Sequence, residues 1–148
     1  MQLHHVPKED YKMKTDSILI QNIIKSYEKP FVIPEGGNNG EGISGMQDLM
    51  IEIDSYPLEF DIIGVAAGTG ATSAGIIRYT QAKSMIKIIN VLRNESLTKE
   101  IEVHDNVKDK NWEVMSDYHF GGYAKTTAEL RSFAQNFYNN YKLSLIHI

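Results

Sequence analysis

Phe60-Asp61-Ile62-Ile63-Gly64-Val65-Ala66-Ala67-Gly68-Thr69-Gly70-Ala71-Thr72-Ser73-Ala74-Gly75 is the stretch that decides the fold. Its first half is almost continuously apolar, which suits a central parallel strand covered on both faces. Gly68-Thr69-Gly70 interrupts the strand, and helical spacing resumes over residues 72–83. A buried strand thus delivers a loop of small residues onto a helix N-terminus. There, unpaired backbone N–H groups and the helix dipole favour a phosphate, and small side chains let it approach. Thr69, Thr72 and Ser73 carry hydroxyls that can add donors. A tight strand-to-helix connection, its glycines serving only close packing, explains this stretch equally well, and both readings stay open on these residues alone.

Outward from this segment, strand and helix patterns alternate. Strands are expected at residues 3–6, 31–33, 60–67, 85–92 and 112–115, with a charged turn at 8–10. Helices are expected at 17–27, 43–53 and 72–83, where apolar residues recur at helical spacing. Residues 95–105 are polar and weakly periodic and receive no assignment. Thr126, followed three residues later by Glu129, forms a capping box for a last helix that buries Leu130, Phe133 and Phe137. The sequence therefore predicts an α/β unit with a mainly parallel, twisted sheet flanked by helices.

Composition narrows the function. The 148 residues are 42% hydrophobic and 23% charged, with no cysteine, which excludes collagen-like, disulfide-framework and disordered chains. The net charge is −4 and no lysine/arginine cluster stands out, so neither nucleic acid nor a membrane surface is expected as a partner. The longest apolar stretch, residues 60–77, is broken by glycines and hydroxyls and cannot span a bilayer. Residues 1–6 lack the basic-then-apolar pattern of a signal peptide, and a cytoplasmic location is expected.

The missing residues narrow the ligand. Gly70 and Gly75 have P-loop spacing, but Ile76-Ile77 stand where Lys and Ser/Thr are needed. A dinucleotide fingerprint needs a third glycine where Ser73 sits, and an acidic residue ending the next strand, which instead runs Ile88-Ile89-Asn90-Val91. A small phosphorylated cofactor suits the loop better than ATP or NAD. A second glycine loop, Pro34-Glu35-Gly36-Gly37-Asn38-Asn39-Gly40-Glu41-Gly42, also follows an expected strand and precedes a helix. Such loops fall on one edge of an open α/β sheet and can face one crevice. The third loop, Tyr118-His119-Phe120-Gly121-Gly122-Tyr123, offers tyrosines that can orient a ring or transfer a proton, or simply cap the core. No metal is expected: His4 and His5 point to opposite faces of their strand, and His104 and His119 are isolated. No Gly-x-Ser-x-Gly elbow supplies a serine nucleophile.

The three loops occur in an order and spacing that resembles one family. Ile33-Pro34-Glu35-Gly36-Gly37-Asn38-Asn39, Gly45, Gly68-Thr69-Gly70-Ala71-Thr72-Ser73-Ala74-Gly75 and Tyr118-His119-Phe120-Gly121-Gly122-Tyr123-Ala124-Lys125 are similar to segments of the 1-aminocyclopropane-1-carboxylate deaminase / D-cysteine desulfhydrase family. The resemblance implies pyridoxal 5'-phosphate as cofactor, the fold of the tryptophan synthase β subunit (fold type II), a small amino-acid substrate and a homo-oligomeric, dimeric parent. It further implies that Gly68, Thr69, Gly70, Ala71 and Thr72 cradle the cofactor phosphate. Gly36, Gly37 and Asn38 then belong to the substrate side, and Tyr123 is the active-site tyrosine. Ala71 stands where the family usually has glycine, and Asn38 where it usually has serine.

The resemblance covers residues 1–142, read as a partial catalytic domain. The family's Gly-Asn-Lys segment with its Schiff-base lysine, and the Ser-Asn-His stretch with its catalytic serine, do not occur in this sequence. An internal or C-terminal fragment is therefore expected, inactive by itself. Its parent is expected to deaminate 1-aminocyclopropane-1-carboxylate to 2-oxobutanoate and ammonia, or to release sulfide from D-cysteine. The alternatives are an α/β module that binds a phosphorylated metabolite without covalent chemistry, and an incomplete domain with no activity of its own. Residues 143–148 match one reading frame of CTGTCTCTTATACACATC, a transposon mosaic-end adapter, and are expected to be a non-native tail.

Overall fold

The computed structural model describes residues 2–81, 83–104, 107 and 111–143. In chain order these form helices α1 (Lys8–Met13), α2 (Ile18–Lys25), α3 (Gly40–Ser44) and α4 (Met46–Asp54), then strand β1 (Ile62–Ala67). Helix α5 (Ala71–Tyr79), strand β2 (Met85–Asn90), helix α6 (Leu97–Glu102), strand β3 (Trp112–Met115) and helix α7 (Ala128–Tyr141) follow. The sheet has the order β1-β2-β3, and both pairings are parallel, as the alternating pattern predicts. Residues 144–148 lie outside the described residues, and with them most of the expected non-native tail.

Register sorts the sheet residues onto two faces. Ile63 pairs with Ile86 and Ile86 with Trp112; Val65 pairs with Ile88 and Ile88 with Val114. Because side chains alternate along a strand, this row faces one way, and it lies in the core with Ile77, Leu97 and Ile101. The other face carries the directly paired Lys87 and Glu113, whose ion pair spans 3.0 Å. Helix α5 is the hub: it packs on α3, α4, α6 and β1. A Cβ on Gly75 would come within 2.5 Å of the Met46 side chain and 2.9 Å of the Ile43 carbonyl, so α3 and α4 touch the α5 backbone.

Several expectations are corrected. Among the described residues, 60–67 are neither central nor covered on both faces: β1 lies at the edge of the three-stranded sheet, and Ile62 on its outer face is 55% exposed. The expected strands at 3–6 and 31–33 do not form. A strand needs a hydrogen-bonded neighbour, and neither segment has one among the described residues; Pro30 and Pro34 also flank 31–33. Residues 31–33 are exposed rather than buried, Phe31 to 71% and Ile33 to 74%. His4, not held in a strand, meets Tyr27 Oη at 3.1 Å.

The expected turn at 8–10 is the start of α1, helped by Glu9 and Asp10 in its first turn. Ser17, expected inside the helix, instead caps α2, accepting from the Ile20 amide while its hydroxyl donates to Asp10. The single helix expected at 43–53 is two helices divided at Gly45, a weak helix former, and begins earlier because the Asn39 side chain accepts from the Gly42 amide. Within 95–105, α6 forms by burying Leu97 and Ile101 one turn apart. The last helix is capped by Thr127, not Thr126. None of its residues is buried, and Phe133 is 61% exposed, because its apolar face finds no core among the described residues. Among the described residues no helix is long and apolar enough to cross a membrane.

Candidate functional site

The C-terminal edge of the sheet gathers the connections that follow the strands. β1 ends at Ala67, and Gly70 turns the chain into α5 with a left-handed φ of 86° that an L side chain strains to adopt. A Cβ there would also press on Leu97 and Ile101 at 3.1 Å, so α6 closes directly over the loop. The first intrahelical bond runs from the Ala74 amide to Gly70 O at 2.8 Å. The amides of Ala71, Thr72 and Ser73 precede it and have no acceptor within the helix, the arrangement that favours an anion. The Thr72 side chain is exposed, and Thr69 is half-buried.

Ser73 is fully buried, and its hydroxyl has no hydrogen-bond partner among the described residues. The Cα–Cβ bond of a helical residue tilts toward the helix N-terminus, here the side of the 68–70 loop. A buried polar atom without a partner costs free energy. The residues at 68–73 thus fit a phosphate: three amides, nearby hydroxyls, small side chains and the dipole of a buried helix.

The loop at 34–39 docks on this turn. Gly36 has a φ of 66°, and a Cβ on it would collide with the Thr69 side chain. Asn38 Nδ2 donates to Thr69 O at 3.2 Å. Gly37 is likewise left-handed at 62°, and its carbonyl faces Gly42 and accepts from the Asn39 amide at 2.8 Å. Gly36 and Asn38 are therefore held against Thr69, which brings the 34–39 loop beside the 68–70 loop.

The third loop lies farther along the same edge. A Cβ on Gly122 would stand 4.0 Å from Arg93 Cβ, which places the loop beside the turn after β2. That turn is held by Asn90, which accepts from the Asn94 amide at 3.0 Å and donates to Asn94 O at 2.8 Å. His119 accepts from the Gly121 amide at 2.9 Å and so orders its own loop. Tyr123 is 81% exposed.

The reading of isolated histidines missed one member. His104 Nε2 lies 3.2 Å from Asn38 Oδ1, although the two are 66 positions apart. No local spacing marks that pair; only the packing of α6 over the loop creates it. Among the described residues no group of three or more His, Asp or Glu is placed to hold a metal.

No family model matches the chain. Over 84 residues it is 36% identical to the bifunctional D-cysteine desulfhydrase/1-aminocyclopropane-1-carboxylate deaminase, mitochondrial, of Arabidopsis thaliana, covering 50% of this chain and 21% of that protein. A Thermotoga maritima protein named "Putative 1-aminocyclopropane-1-carboxylate deaminase" is 34% identical over 120 residues, 71% of this chain and 38% of its own length. A Pyrococcus horikoshii protein of the same name is 29% identical over 130 residues, 80% of this chain and 40% of its own. The chain spans 40% or less of the length of each.

Proposed function

We infer, for a chain that belongs with the 1-aminocyclopropane-1-carboxylate deaminase / D-cysteine desulfhydrase family, that residues 68–73 hold the phosphate of pyridoxal 5'-phosphate in the parent enzyme. The observation that carries this reading is the first turn of α5, whose Ala71, Thr72 and Ser73 amides have no acceptor within the helix. It follows a loop of small residues and carries a buried Ser73 hydroxyl that has no partner among the described residues. When bound, pyridoxal phosphate supplies an electron sink for carbanionic charge on an amino-acid substrate.

The chain's own residues then divide the work. The Ala71, Thr72 and Ser73 amides bind the phosphate, and the Thr69 and Thr72 hydroxyls add donors. Gly36, Gly37 and Asn38 form the wall on the substrate side, close to the phosphate because Gly36 has no side chain to hold Thr69 away. Tyr123, matched by the family resemblance, is the residue assigned to move a proton at its phenol oxygen. The substrate is a small amino acid, 1-aminocyclopropane-1-carboxylate or D-cysteine. No lysine of this chain is assigned to bond with the cofactor, so the 148 residues alone bind it without turning substrate over.

Equilibrium binding of pyridoxal 5'-phosphate and of pyridoxal, followed by the fluorescence of Trp112, tests the reading. Charge-assisted hydrogen bonds of about 1.5–3 kcal/mol predict an affinity about tenfold or more higher for the phosphorylated form. Thr72→Glu, which puts a carboxylate at the exposed mouth of the cradle, should remove that preference. Equal affinity for the two compounds would contradict the assignment.

A further inference from the structure

Asn38 lies between two partners: its Nδ2 donates to Thr69 O at 3.2 Å, and its Oδ1 is 3.2 Å from His104 Nε2. A backbone carbonyl only accepts, so Thr69 decides which end of the amide faces it. The other end, Oδ1, also only accepts, so His104 must donate from Nε2. The order is Thr69 C=O, Asn38 amide, His104 imidazole, each link donating toward the loop. His104 itself follows α6, whose Leu97 and Ile101 are buried in the core and abut Gly70. The network ties a rigid element to the loop at 68–70 across the loop at 34–39.

We propose that His104 is a positioning residue of the cofactor site: by fixing the Asn38 amide, it sets the Thr69 carbonyl and, with it, the loop that presents the phosphate donors. This rests on residues 68–73 being the phosphate cradle. The Asn38 amide is long enough to reach both partners at once. The imidazole acts on the loop through the Asn38 side chain. Its effect is transmitted through one side chain, which makes the effect separable by substitution.

Two measurements on the 148-residue chain test it. Long-range proton–nitrogen spectra of His104 at mildly alkaline pH should show the proton on Nε2; a neutral ring protonated at Nδ1 would overturn the proposal, whatever ligand the site takes. Affinity for pyridoxal 5'-phosphate should fall about threefold to tenfold in His104→Ala, the worth of one hydrogen bond, and return to within about twofold in His104→Gln, whose amide donates from a similar reach. In an Asn38→Ala background, His104→Ala should cause no further loss. An unchanged affinity in His104→Ala, or equal losses in the Ala and Gln variants, would contradict the clamp. Failure of the unsubstituted chain to bind pyridoxal phosphate would instead count against the cradle, leaving the spectra to decide the hydrogen-bond order.

Discussion

Gly36 and Gly75 illustrate how one residue type answers two demands. Gly36 is needed for a left-handed turn and for contact with Thr69; Gly75 has ordinary helical backbone and is needed because Met46 and Ile43 crowd it. Gly75→Ala should therefore destabilise by about 1–3 kcal/mol through overpacking, read as a lower denaturant midpoint with an unchanged slope. A midpoint equal to that of the unsubstituted chain would show that α3 and α4 yield easily. The sequence marked Gly75 through its P-loop-like spacing from Gly70, but the reason for it is a neighbour 29 positions upstream, Met46. His104 was illegible on the same ground: its partner, Asn38, is brought near by the fold.

At the scale of elements, β2, β3 and α5 were legible from their apolar residues, although α5 stops at Tyr79 and β2 at Asn90, short of the expected 83 and 92. The 31–33 run has the same composition as a strand, yet pairing is a property of two segments, and no second segment lies beside it among the described residues. The shift of the α7 cap from Thr126 to Thr127 reflects two adjacent residues with the same capping chemistry. α7 and β2 also differ in how they are held. Thr127→Ala should cost α7 about 1 kcal/mol and speed hydrogen exchange of its amides while leaving those of β2 unchanged. Ile88, fully buried at the centre of the sheet, should behave otherwise: Ile88→Ala should cost about 2–5 kcal/mol and lower protection throughout the core. Equal slowing or quickening of both elements by Thr127→Ala would show that α7 folds as one unit with the sheet.

For the whole molecule, the parallel order β1-β2-β3 brings the connections after the strands to one edge. That edge was legible from the alternation of strand and helix. The meeting of the 34–39 and 68–70 loops was expected from a strand at 31–33 that does not form, and comes instead from Gly36 and Asn38 docking on Thr69. The relation of Tyr123 to that crevice was not legible, because a glycine-rich loop with four left-handed residues, at 120, 121, 122 and 124, has no periodicity to constrain it. Placing β1 at the centre failed for another reason. Its apolar run reads the same whether the outer face meets helices or, as here, stands open beside Ile62.

The central claim, that the turn from β1 into α5 receives a phosphate, is tested most directly by following backbone amide resonances during titration with pyridoxal 5'-phosphate. The largest shifts should fall on Ala71, Thr72 and Ser73, with smaller ones at Asn38, and pyridoxal without the phosphate should leave the first three in place. Shifts concentrated elsewhere, with the α5 amides unmoved at saturation, would contradict the account.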